Sequence, residues 1–275
     1  NSLRPLATAV SEHLGRPVAF ATDCIGDVAR DAVKALRDGD ILLLENTRFH
    51  KGEEQNDPDF AADLASLGDV YVNDGFSVAH RAHASTEGVA HLLPAFAGRS
   101  MEAELKALSI ALDNPARPLA AIVGGAKIST KLELLGNLTK KVDYLIIGGA
   151  MANTFFAARG IKTGKSLIEK EMFSTARAIV DAARASNCEI VLPTDVVLAT
   201  EFKAHASHRV TSISAVSDLE MIIDIGPRSA DKIASQLLCT FRTLVWNGPF
   251  GAFELEPFNE GTNTIARAAA QLTQA

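Results

Sequence analysis

The sequence predicts an α/β protein built from two doubly wound, parallel-sheet (Rossmann-like) units joined by a helix and a hinge. Three observations predict it. Short apolar runs rich in β-formers alternate with longer amphipathic stretches; runs such as Leu119–Val123 are apolar throughout; and the runs end on Gly, Asp or Asn. Strands covered on both faces of a parallel sheet have this continuous character, whereas half-exposed strands alternate with period two.

The strand candidates, in order, are Val18–Ala21, Ile41–Leu44, Val70–Val72, Leu119–Val123, Tyr144–Ile147, Glu189–Leu192, Met221–Ile225 and Thr243–Trp246. Helical patterns lie between most of them, which favours βαβ units. In Ser100–Asp113, Met101, Leu105, Leu108 and Leu112 recur at spacings of four, three and four, a single helical stripe that stops at Asn114-Pro115. This helix divides three strand candidates from five. The expected organisation is therefore residues 1–100, an interdomain helix over 101–116, and residues 117–275.

Composition excludes several classes. Hydrophobic residues make up 47% and charged residues 22%, an ordinary globular balance. The net charge of −6 disfavours a broad nucleic-acid-binding face, so any phosphate site must be local. No apolar run approaches the length of a membrane span. Three separated cysteines, Cys24, Cys188 and Cys239, read as thiols of a reducing compartment, and the cytoplasm is the expected location.

Some local motifs mislead. Gly160 to Ser166 resembles a P-loop, but three residues, not four, separate Gly160 from the Gly164-Lys165 pair, and the segment follows a helical stretch. A helix end and loop is the better reading. The pairs His80/His83 and His205/His208 lack a nearby Cys or a helix-borne Glu, so no metal site is expected there. Neither a Gly-x-Ser-x-Gly elbow nor a dinucleotide-binding Gly-x-Gly-x-x-Gly is present.

The informative features are the strand ends. Gly124-Gly125 closes one strand and is followed by Lys127 and Lys131, four apart and expected on one face of a helix's first turns. Gly148-Gly149-Ala150, Gly226-Pro227 and Asn247-Gly248-Pro249 close three more. Several Gly-rich turns beyond the carboxyl ends of parallel strands can together line a nucleotide pocket. In the first half, Arg48 and Arg81 each lie just past a strand among histidines, and guanidinium forks suit phosphate or carboxylate. Surface arginines paired to nearby carboxylates remain the alternative.

At these residues the chain resembles the phosphoglycerate kinases. The segments LLLENTRFHKGEE (42–54), VNDGFSVAHRAHAST (72–86), AIVGGAKISTKLELL (121–135), LIIGGAMANTF (145–155), TGKSL (163–167), DIGP (224–227) and VWNGPFGAFE (245–254) follow that family's order. The resemblance implies a hinge-bending glycolytic phosphotransferase, moving a phosphoryl group between 1,3-bisphosphoglycerate and ADP, with a carboxyl group as acceptor in reverse. It implies small-molecule partners only, phosphoglycerate and an adenine nucleotide carrying Mg2+, and a monomeric state. Carried over residue by residue, Arg48, Arg81 and His80 would bind the acid. Lys127 would steady the transferring group, Lys131 would hold nucleotide phosphate, and Glu254 would accept ribose hydroxyls. Gly125, Ala150, Gly226, Asn247 and Pro249 would frame adenine and ribose.

Departures from the family pattern are Ala150, where a third glycine is usual, and Gly75, Ser77 and Val78 before Arg81. A family-like His-x-Gly-Arg-Pro at His13 to Pro17 follows, instead of preceding, the Ser2 to Pro5 run, so Gly15 reads as a helix stop and no substrate role is transferred. The family's Asp-x-Asn turn and its Gly-Gly-Gly-Asp-Thr turn, which carries the magnesium-associated aspartate, lie outside the sequence. On that reading the polypeptide as written is not expected to turn over, and a form that binds nucleotide without turnover is the alternative to an active kinase.

Overall fold

The computed structural model describes residues 1–273. It divides into two compact units, Asn1–Leu108 and a second from Ser109 onward.

In the first unit, α1 (Arg4–Leu14) opens with a proline in its first turn and ends where Gly15 adopts φ +62°. It leads into β1 (Val18–Phe20), α2 (Gly26–Lys34) and β2 (Ile41–Leu43), and β1 pairs in parallel with β2. The short α3 (Lys51–Glu54) precedes α4 (Pro58–Ala65), whose start is set by Asp57: its carboxylate accepts the Asp59 and Phe60 N–H groups, with Pro58 at N1. Then come β3 (Tyr71–Asn73) and β4 (Ala95–Ala97), again a parallel pair. Cys24, Phe60, Ala61 and Ala84 form this unit's small buried core. The partition falls within α5 (Arg99–Asp113), the helix whose apolar stripe the sequence displays.

In the second unit, β5 (Leu119–Val123), α6 (Leu132–Leu138), β6 (Tyr144–Ile147), α7 (Gly149–Ala158), α8 (Phe173–Ala185) and β7 (Glu189–Val191) build one side of a parallel sheet. After β8 (Asp195–Ala199), β9 (His208–Ser212), β10 (Met221–Ile225) and α9 (Pro227–Cys239), the chain returns as β11 (Thr243–Asn247) on the other side of β5, and α10 (Glu260–Leu272) follows. The sheet order is β11-β5-β6-β7, so the direction of winding reverses at β5. Ligands of doubly wound sheets bind at such a reversal, beyond the carboxyl ends of the strands.

Residues of β5 alternate between two apolar cores. Leu119, Ala121 and Val123 face one with Leu145, Ile147, Phe155 and Ile179; Ala120 and Ile122 face the other with Ile146, Ile233, Leu237 and Ile265. All five residues of β5 are fully buried, which is why the strand reads as an unbroken apolar run.

One strand departs from expectation. Met221–Ile225 is not part of the parallel sheet but pairs antiparallel with β8, which pairs antiparallel with β9. Its apolar residues are nonetheless buried toward its end, because Ile223 and Ile225 pack into separate cores. No helix among the described residues is long and apolar enough to cross a membrane.

Candidate active site

Three Gly-rich turns interlock at the carboxyl ends of β5, β6 and β11. The Gly124 N–H donates to the Asn247 carbonyl at 2.8 Å, Gly149 N–H to Phe250 O at 2.7 Å, and Met151 N–H to Gly125 O at 2.9 Å. Backbone meets backbone so closely that side chains are excluded. A Cβ on Gly124 would overlap the Pro249 carbonyl, and one on Gly149, already at φ +66°, would stand 2.6 Å from Gly125 N.

The two lysines after the first turn do not share a helical face. Residues 127–131 form a tight turn, and α6 begins only at Leu132. Buried Glu169 is the cause: its carboxylate accepts the Ile128 N–H at 2.5 Å, the Ser129 N–H at 3.3 Å and the Ser129 hydroxyl, drawing these donors away from a helix. Burial works against ionisation of Glu169, yet the bonds from Ser129 and Ile128 and the Lys127 charge hold its carboxyl below the usual range. Lys127 is exposed. Lys131 folds back, its Nζ donating to Gly124 O at 2.6 Å and to the Asn247 side-chain oxygen at 2.5 Å. Burial lowers the Lys131 pKa, and among the described residues no carboxylate pairs with it. Carbonyl dipoles orient this ammonium without neutralising it, which leaves it available to an anion.

Beside the turns opens a cavity of about 560 Å³. Gly125, Ala150, Pro249 and Glu254 line it, while its walls also include Asn153, Lys165, Phe202, Ile223 and Asp224. Lys131, Lys127, Asn247 and Gly226 are outside the lining. Lys131 and Asn247 are bonded to each other at the adjoining turn, whereas Gly226 abuts buried Asp195, donating its N–H to the Asp195 carbonyl at 2.8 Å. That aspartate also accepts the N–H groups of Arg228 and Ser229, capping α9.

Asp224 is the one strongly displaced acid of the wall. Burial raises its carboxyl to about 7, although N–H groups of Gly261 and Ile225 at 3.0 and 2.8 Å favour the charged form. A pKa raised from 3.8 to about 7 on folding gives a stability contribution that is full below pH 3.8 and lost as pH rises through 7. The protein is therefore expected to lose stability relative to its Asp224→Asn variant between pH 5 and pH 8, as read from urea melts at both. Equal differences at the two pH values would contradict the assignment.

In the first unit, Arg48 lies in a 3-10 turn (Thr47–Phe49) whose Asn46 side chain accepts the Arg48 N–H at 3.1 Å. Its guanidinium is 3.4 Å from Glu54, both partly exposed, a weak surface pair that an anionic ligand can displace. His80 and Arg81 are exposed beyond the 3-10 turn Phe76–Val78. His83 instead turns inward, 3.8 Å from buried Glu53.

The phosphoglycerate kinase family profile matches residues 1–275. The chain belongs to the phosphoglycerate kinase family. It is 61% identical to the phosphoglycerate kinase of Xanthobacter flavus over 272 residues, 99% of this chain and 68% of that protein. To the enzyme of Azorhizobium caulinodans it is 60% identical, covering 100% of this chain and 69% of the relative. The structure of phosphoglycerate kinase from Coxiella burnetii superposes with a TM-score of 0.79 at 42% identity, over 98% of this chain and 68% of that one. The family identifies a phosphotransferase with the mixed α/β, parallel-sheet fold described above.

Within the family frame, sequence reasoning missed several wall residues. Lys165 lies on the P-loop-like segment, which the structure shows as a helix end and loop: Gly160 at φ +78° ends α7, and the segment then runs beside β10, with Lys165 N–H donating to Glu220 O at 2.8 Å. Its place on the wall depends on that unforeseen pairing. Phe202 offered a signal in being a large apolar residue in an otherwise polar stretch.

Proposed function

We propose that the protein is the phosphoglycerate kinase of glycolysis, reversibly transferring a phosphoryl group from 1,3-bisphosphoglycerate to ADP to give 3-phosphoglycerate and ATP. The observation that carries the site assignment is the cavity at the winding reversal of the second unit, flanked by an unpaired lysine at one turn and Glu254 at its wall.

Each residue then has a defined task. The turns at Gly125, Ala150 and Pro249 present backbone to adenine and ribose, and Glu254 accepts ribose hydroxyls. Lys131 meets nucleotide phosphate, with Asn247 holding its ammonium in place and Gly226 supporting the adjacent strand end. Lys127, tethered near Glu169 but exposed, neutralises the transferring phosphoryl group. Arg48, Arg81 and His80 of the first unit bind the phosphate and carboxylate of the acid. The nucleotide would be taken as its Mg2+ complex, the metal supplying charge screening of the phosphate oxygens beside Lys131. No general base is needed, since phosphoryl transfer demands alignment and charge stabilisation. The expected setting is cytoplasmic and the expected state monomeric.

A coupled assay tests this directly. The protein, given ADP and 1,3-bisphosphoglycerate with Mg2+, is expected to form ATP. Calorimetric ADP binding without ATP formation would instead favour a nucleotide-binding form that does not turn over, and neither binding nor turnover would overturn the reading.

A further inference from the structure

The cluster not used by the kinase chemistry lies in the first unit, in the loop between β1 and α2. There the donor atoms of Asp23, Cys24 and His50 all lie within 4.8 Å of one another, although His50 is 26 residues or more from the other two in sequence. The imidazole Nε2 and the Asp23 Oδ1 are 2.7 Å apart. The Cys24 thiol is fully buried, while the Asp23 and His50 side chains are 41% and 31% exposed, so a solvent path reaches the cluster from their side.

We propose that Asp23, Cys24 and His50 form a binding site for one thiophilic divalent cation, with Zn2+ as the expected occupant. Carboxylate, imidazole and thiolate are a ligand set suited to zinc. Zinc bonds of ~2.0–2.1 Å to N and O and ~2.3 Å to S place tetrahedral ligand atoms roughly 3.3–3.6 Å apart. The His50–Asp23 contact must open and the thiol must draw inward, each by side-chain rotation of about an ångström or less.

The surroundings favour a cation. Burial and the charges of Asp23 and Glu53 hold the thiol proton on, up to about 11. Glu53 is itself buried, its carboxylate accepting the Ser85 N–H and hydroxyl, so its negative charge is fixed beside the cluster. A bound dication reverses this preference. The S–H bond breaks, the S–metal bond forms and the proton leaves to solvent; aspartate and thiolate together then balance the two positive charges, and water fills the fourth position. The ligands are also supported from behind: His50 packs on Phe60 at 5.3 Å, and the Cys24 N–H fixes the Asp23 carboxylate at 2.7 Å.

The test uses the full chain carrying Cys239→Ser, which removes the one exposed thiol. Zn2+ is titrated against a chromophoric chelator, and Co2+ reports ligation by its thiolate charge-transfer absorption. One equivalent of Zn2+ is expected, weakened at least about 10-fold by Cys24→Ser or His50→Gln, with the Co2+ band lost in Cys24→Ser and kept in Cys188→Ser. Millimolar Mg2+ is expected not to displace the Zn2+. Should Cys24→Ser fail to fold, His50→Gln and Asp23→Asn carry the same test at partly exposed positions. Absence of a stoichiometric equivalent, an equivalent that neither His50→Gln nor Asp23→Asn weakens, or displacement by Mg2+ would overturn the proposal.

Discussion

Lys131→Met is expected to lower kcat/KM for ADP by about 100- to 1000-fold, the scale of removing one preorganised charge-stabilising donor from an active site. The magnitude follows from how the ammonium is held. Its partners are the Gly124 carbonyl and Asn247, dipoles that orient the charge but do not cancel it. Partial burial further concentrates its field on whatever anion arrives. Methionine keeps the stem's packing and removes only the charge. Thermal melting should therefore change little while nucleotide affinity and turnover collapse. Loss of activity no greater than about threefold would show that the ammonium meets no phosphate.

Gly124→Ala is expected to cost about 2–4 kcal/mol of stability and to abolish nucleotide binding, the scale of forced overpacking combined with loss of buried backbone bonds. The methyl would overlap the Pro249 carbonyl, and neither turn has room to retreat. A Cβ on Gly248, at φ +89°, would stand 2.6 Å from Gly124 O, and one on Gly148 would overlap the Phe250 ring. Separating the turns would break the Gly124 N–H bond to Asn247 and move the groups that hold Lys131. Urea melts and ADP calorimetry on the variant check both halves, and wild-type behaviour in both would contradict the interlocked arrangement.

Much of this was legible in the sequence, for physical reasons that differ by element. β5 and β6 announced themselves because burial on both faces demands unbroken apolar runs. Helix α5 did so through its stripe and its Asn-Pro stop. Gly15 marked the end of α1 because a left-handed residue there favours glycine. By contrast, β9 is largely exposed and its sequence, His-Arg-Val-Thr-Ser, carries no apolar run to betray it. β4 spans only three residues. The antiparallel β10-β8-β9 sheet escaped because continuous burial of the last residues of β10 imitates a parallel strand.

The site was legible at its turns and illegible at its walls. Glycines beside lysines and Asn-Gly-Pro mark where backbone can approach a ligand, whereas the roles of Ala150 and Glu254 came only from the family resemblance; Gly125, Ala150, Pro249 and Glu254 all line the cavity. Lys165 and Asp224 required knowledge of which strand β10 joins. The position of Lys131 depended on Glu169, 38 residues away, which converts an expected helical turn into a tight one. The Asp23, Cys24 and His50 cluster joins two loops through the fold alone.

Amide hydrogen exchange of the full chain with and without Mg2+ and ADP tests the central claim most directly. Protection is expected to rise in the three turns, at Gly124–Gly125, Gly149–Ala150 and Gly248–Glu254, and to do so far less in Lys131→Met at the same ADP concentration. Protection gained elsewhere in the second unit with these turns unchanged would contradict the assignment of the nucleotide to this cavity.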